Sequence, residues 1–409
     1  MRNVPISLPE SAARLMAAAP HRLLFLVGAS NVLAAMAWWT CWLLAARWHL
    51  ADLPQPTLPP GWMHAIIMQY QVLPSFIFGF LLTVFPRWMN LRPLAPRLYL
   101  PVGVGLLGGQ VLTLAGLAGN PWLLRAGAAF TVTGWLVGLV LLSGRALQAR
   151  DWPWHALSCL LGLVFGFVGL GCYFLLTFHL DARLAFVAIK LGGIPMLLPI
   201  YFTVCHRMIP FFTQVVLRGY QTVRPMWVLG AAWALLVLHL GLELRHGYAW
   251  LWMVDAPLAL LFAGLLVAWW PREKMPPLLR VLYLGFAWLP IAFALYGFQS
   301  AWFAIAGEFL LGRAPAHALF IGYFGSLLVA MVTRVTQGHS GRPLVLGAVA
   351  AFAFIAVQLV AVTRVAAELV PDALAWQAAA GIGWLAAFLP WVLRSGWIYL
   401  TPRADGQPG

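Results

Sequence analysis

Histidine is the residue type in this chain most able to do chemistry inside an apolar environment. Among its ten imidazoles, His64 and His317 sit near the starts of long apolar stretches, and His206 and His339 near the ends of two others. A buried imidazole offers a lone pair to copper or to haem iron, so these four are the candidate metal ligands. In WMHAIIMQYQVLPSFIFGFLLTVFPRW, His64, Met68, Gln71, Ser75 and Gly79 recur at helical spacing and share one face. A face carrying His, Gln and Ser turns toward a bundle interior, because polar groups facing lipid go unpaired. It serves equally well as a ligand wall or as an interhelical hydrogen-bonding surface.

The elements that must position these side chains are membrane helices. The chain has 409 residues, 63% of them hydrophobic and only 9% charged, with a mean hydropathy of +0.86. No soluble domain of this length carries such a composition. Runs of about 20 apolar residues, enough to cross the hydrocarbon core as a helix, recur from end to end. They predict spans at 22–45, 62–86, 98–119, 122–148, 154–178, 184–205, 226–244, 249–270, 278–306, 315–336, 343–368 and 372–396. The expectation is an all-α polytopic bundle of about twelve transmembrane helices. Residues 22–396 would form one membrane domain, flanked by short cytoplasmic segments, 1–21 and 397–409.

The net charge of +14 does not point to nucleic acid, because the basic residues sit in small groups in the loops. The N-terminal segment, the C-terminus and the even-numbered loops carry two or three cations each, including Arg87, Arg207, Arg334 and Arg342. The odd-numbered loops carry one each: Arg47, Arg125, Arg183, Arg245, Arg313 and Arg364. This asymmetry places both termini in the cytoplasm. The first twenty residues lack the order of a signal peptide, so no processing is expected. Cys41, Cys159, Cys172 and Cys205 lie within or at the ends of spans without CxxC spacing, which reads as small buried apolar residues.

With that orientation His64 and His317 lie near the outer face, and His339 lies near the inner one. Lys190 and Asp255 fall at similar depth, about 9 Å inside the outer ends of their spans, and are expected to pair. The second, sixth and tenth spans also echo one another. Each ends on an arginine (Arg87, Arg207, Arg334) and is followed by Arg-Pro, at Arg92-Pro93, Arg224-Pro225 and Arg342-Pro343. The interval is roughly 120 residues, or four helices per unit. Three such units would gather arginines on the inner side, where they could anchor haem propionates or another anion, or act simply as topology anchors.

Three segments resemble the NnrS family of haem- and copper-containing membrane proteins linked to the nitric oxide response. They are HALFIGYFGSLLVAMVTRVTQGHSGRPL from His317, HRMIPFFT from His206 and GFLLTVFPRW from Gly79. The resemblance implies haem, a place in the bacterial cytoplasmic membrane and a role in nitric oxide response or resistance to nitrosative stress, with nitric oxide or a related small molecule as ligand. It leaves open whether the protein is an enzyme. The family usually shows His-x-His-Glu-Met at the start of the second span, and this chain reads His64-Ala65-Ile66-Ile67-Met68. Ile66 and Ile67 replace a histidine and a glutamate, which puts copper in doubt.

Two other classes compete. A secondary transporter of haem, a metal complex or a small anion also suits twelve helices with internal repeats. Proton coupling is disfavoured for it, since no acidic residue falls in the central third of a predicted span. A respiratory haem–copper oxidase subunit needs several helix-embedded histidines, including an adjacent pair. Here His21, His49, His155 and His246 read as loop-edge residues, and His179 and His239 as hydrogen-bonded residues near helix ends.

Overall fold

The computed structural model describes residues 12–407. Among them are twelve helices long and apolar enough to cross a membrane: α1 (Pro20–Trp48), α2 (Pro60–Trp88), α3 (Pro96–Gly116), α4 (Pro121–Ala146), α5 (Trp154–Leu176), α6 (Ala182–Val216), α7 (Trp227–Leu244), α8 (Trp252–Trp269), α9 (Pro277–Ala306), α10 (Ala314–His339), α11 (Ala348–Ala366) and α12 (Ala373–Tyr399). Proline opens five of them, at the position where a missing N–H costs nothing. Both ends of the described chain lie on one face. Arg22 at the base of α1 donates to the carbonyls of Tyr399 (3.3 Å) and Thr401 (3.0 Å), and Ala404 N donates to Ser340 O at 2.9 Å. We call this the terminal face.

The expected spans agree with the helices to within a few residues except at α6. The polar His206-Arg207 pair suggests an end near Cys205, yet the helix continues to Val216. Its 35 residues measure about 52 Å at the helical rise, well over the hydrocarbon thickness, so its last turns serve the terminal face.

The second, sixth and tenth helices form the centre of the bundle. In their most apolar stretches 89%, 67% and 89% of residues are buried, against 33–56% in the other nine, whose remaining apolar surface is what lipid would cover. Each of the three also widens into a π-helical segment: Met68–Val72 in α2, Gly192–Leu197 in α6 and Ala318–Gly325 in α10. The echo seen in sequence therefore has a backbone counterpart once in every four helices. Such π segments recur at functional sites, because the extra residue per turn opens the ladder and redirects side chains.

In α2 the cause is local. Pro74 has no N–H to give to the Tyr70 carbonyl, and the fully buried Trp135 of α4 supplies the donor instead, Nε1 to O at 3.0 Å. Tyr70 Oη in turn donates to Ala188 O of α6 at 2.5 Å. The approach is close enough to require glycine: a Cβ on Gly192 would stand 2.3 Å from Gln69 Oε1 and 2.9 Å from Tyr70 Oη. Gln71 Nε2, one residue further on, donates to Thr113 (2.8 Å) of α3 and Thr131 (3.0 Å) of α4. The polar stripe of α2 is thus divided. Gln71 and Ser75 satisfy packing, while His64 and Met68 face a cavity.

Candidate functional site

A cavity of about 580 Å³ opens between α1, α2, α6, α10, α11 and α12 toward the face away from the termini. His64 comes from α2 and His317 from α10, so the two imidazoles that sequence placed in one layer line one wall system. Trp39 stacks on the His64 ring (centroids 4.6 Å apart, planes 8° apart), and Trp384 adds a second aromatic wall. The His317 Nδ1 lies 2.9 Å from the Arg313 carbonyl. Since a carbonyl can only accept, Nδ1 carries the proton and Nε2 keeps its lone pair, the arrangement usual for a ligating histidine. The His64 ring makes no hydrogen bond among the described residues.

Three cations reach the same cavity, Lys190, Arg313 and Arg364. Arg364 is held by Glu368 at 2.6 Å, and Lys190 by Glu243. In sequence Arg313 and Arg364 stand only as lone loop charges. Nothing in their spacing shows that α10 and α11 bring them to the imidazoles.

The other candidates lie at the terminal end. Arg87 is exposed, Arg207 packs its guanidinium over Trp88 (4.6 Å to the ring centroid), and the buried Arg334 lies over Phe212 (4.0 Å). Each of the last two stacks on an aromatic of the preceding unit, a cation–π contact that holds neighbouring central helices together. Arg342 sits over Trp397 at 5.2 Å and donates to Thr401; burial lowers its guanidinium below the usual arginine range.

Two histidines read as loop-edge residues are in fact buried and paired. His21 packs its ring against that of His339, centroids 4.4 Å apart, and His155 Nε2 lies 3.1 Å from His206 Nδ1. The helix starts that looked peripheral are capped by the opposite end of the chain or by the extended α6. His206 Nε2 faces the Pro225 carbonyl at 3.3 Å, so that nitrogen is the donor and Nδ1 accepts from His155. Both nitrogens of His206 are engaged, which leaves no lone pair for a metal unless the pair breaks.

The expected Lys190–Asp255 pair does not form. Lys190 binds Glu243, and Asp255 binds His239 at 2.6 Å. Similar depth put the two residues in one layer, but α7 lies between them and supplies a partner to each, Glu243 and His239. His239 is hydrogen-bonded near its helix end as expected, but fully buried rather than at an edge.

A model of the NnrS protein family matches residues 15–403. The chain belongs to the NnrS family. The match covers the whole membrane bundle, from before α1 to beyond α12. A search of curated proteins gives no match.

Family membership suggests haem and copper, and the donor sets of this NnrS member treat the two differently. The cavity fits haem: it has two imidazoles from different helices, flat aromatic walls and cations for carboxylates. Copper at the positions of the family pattern does not fit. Ile66 and Ile67 are 0% and 1% exposed and pack into the apolar core. Among the described residues no group of three or more His, Cys, Asp or Glu is arranged to hold a metal ion.

Proposed function

We propose that this protein holds haem in the cavity remote from the termini and serves the nitric oxide response of a bacterial cytoplasmic membrane. The observation that carries the reading is the convergence of His64, His317 and three cationic side chains on one cavity of about 580 Å³. His317 Nε2, oriented by the Arg313 carbonyl, and the His64 imidazole, braced by Trp39, are the residues that would hold the haem iron. Arg313, Arg364 and Lys190 would take the propionates, since charge-assisted bonds to carboxylates are strongest where water is scarce. The aromatic walls exclude water and keep the ligand side apolar, which suits a small uncharged gas. Bound haem would supply an iron centre able to take up nitric oxide.

The terminal-face arginines Arg87, Arg207, Arg334 and Arg342 lie at the other end of the bundle from His64 and His317, with aromatic contacts of their own for three of the four. We assign them to packing and topology rather than to the same haem. His21 and His339, like His155 and His206, form a further imidazole pair away from this cavity. Transport of an anion or metal complex is the competing reading, and the cavity, which opens on one face, is what favours it.

The test is a reduced-minus-oxidised optical spectrum of the detergent-purified protein, before and after nitric oxide. The expected result is a Soret band that shifts with nitric oxide and is lost or displaced in His317→Ala and His64→Ala. A band unchanged in both but lost in His339→Ala would move the site to the terminal face. A colourless protein after expression with ample haem would reject the reading and favour transport.

A further inference from the structure

Beside the cavity, four ionisable side chains from three helices form one buried network. Lys190 of α6 lines the cavity and pairs with Glu243 of α7. One turn earlier on α7, His239 places Nε2 3.5 Å from Glu243 Oε2 and Nδ1 2.6 Å from Asp255 Oδ1 of α8. His239 and Asp255 are 0% exposed and Glu243 3%. His239 Nε2, Glu243 Oε2 and Asp255 Oδ2 make no hydrogen bond among the described residues. Also facing the network are the Phe293 and Tyr296 rings of α9, 6.1 and 5.6 Å from that of His239, the Phe186 ring under Lys190, and Tyr248 in the loop before α8, whose hydroxyl burial and the Glu243 charge push above the usual phenol range.

Charge counting decides what this arrangement can do. With Lys190 charged, both carboxylates ionised and His239 neutral, the network carries one net negative charge in a low-dielectric interior. A neutral imidazole has one N–H, so one of its nitrogens would also turn a lone pair toward a carboxylate. One added proton removes both costs. It makes His239 a donor to each side and brings the network to neutrality.

We propose that Lys190, Glu243, His239 and Asp255 form a one-proton site that exchanges with the cavity. On release the proton passes from His239 Nε2 to Glu243 Oε2, and from that carboxyl to the cavity past the Lys190 ammonium. His239 keeps its Nδ1–H on Asp255, and the network is left with one net negative charge. Uptake is the reverse. A reaction or binding event in the cavity that consumes or yields a proton is thereby served without a water path through the bundle. The layout also explains why Lys190 stands between the two: its side chain is 26% exposed, and that of Glu243 only 4%.

The experiment is an infrared pH titration of the full-length protein in liposomes, over about pH 5 to 11, in which imidazole and carboxyl bands report protonation. The expected result is a one-proton transition that disappears in His239→Gln. Lys190→Met removes a positive charge and should raise the proton affinity about tenfold, and Glu243→Gln removes a negative one and should lower it by a similar factor. Shifts of opposite sign separate a proton site from a structural ion network, and either variant suffices if another fails to fold. A bulky thiol reagent on Ala316→Cys, at the cavity wall, in a Cys41→Ser background, should slow deuterium exchange of the same bands. No transition in this range, or midpoints unmoved in both charge variants, overturns the site. Exchange unaffected by the plug overturns the cavity route.

Discussion

Trp135→Phe probes the joint between the central helix α2 and the cavity wall. Trp135 Nε1 is the donor that replaces the N–H missing at Pro74, and it meets the Tyr70 carbonyl at 3.0 Å in a site with no exposure. Phenylalanine keeps an aromatic ring against Phe78, now 5.2 Å away edge-on, but leaves that carbonyl without its donor. An unsatisfied buried acceptor costs about 1–3 kcal/mol. The lost indole volume adds about 1 kcal/mol, since the ring also packs against Gly166. Pro74→Ala restores an N–H at the position that ordinarily serves Tyr70 O, so it should recover the hydrogen-bond part of the loss. In a double-mutant cycle the two substitutions should couple by about 1 kcal/mol or more, read from reversible unfolding in mixed micelles. Met68 and Gln69 of the same π segment line the cavity, so the single variant should also weaken ligand retention there. Additive effects of the two substitutions would refute the account of Pro74 and Trp135 as replacement partners.

Three further outcomes follow from particular contacts. Gly105→Ala should destabilise the α3–α4 pair by about 1–3 kcal/mol, because its Cβ would stand 2.5 Å from Gly134 Cα; Gly144→Ala, with nothing within 4 Å, should leave the unfolding temperature unchanged. Asp372, before α12, accepts from Arg47 Nη2 at 2.7 Å, and that hydrogen bond holds its carboxyl below the usual carboxylate range. Its contribution is therefore present above the unfolded aspartate value, about pH 4, and lost as pH falls through the lowered value. The unfolding temperatures of the native protein and Asp372→Asn should converge in acid, and parallel curves would contradict this. His21→Phe should preserve the ring contact with His339 and leave the cavity-bound Soret band intact, whereas loss of the band would place the chromophore at the terminal face.

Much of the fold was legible because crossing hydrocarbon is a local requirement: about twenty apolar residues suffice, wherever the neighbours lie. Pro74 and Pro195 lie beside or within the π segments of α2 and α6, yet α10 widens into its π segment with no proline inside it, so the irregularity was not legible in the sequence. The extension of α6 was hidden by His206-Arg207, a polar pair that reads as a helix end until Trp88 and the His155 ring are found against it. For the site, the shared depth of His64 and His317 could be read from register, and their meeting in one cavity could not. The Lys190–Asp255 expectation failed for the same reason: depth fixes a layer, not a neighbour within it.

The sequence by itself determined twelve crossings, a four-helix recurrence and the family motifs, since each depends on the order of residues along a helix or on its length. Tertiary structure alone decided that His155 meets His206, that His21 meets His339, and that Glu243 and His239 stand between Lys190 and Asp255. A buried polar group is stable only beside a partner, and in a bundle that partner sits on another helix, at a rotation and distance set by packing.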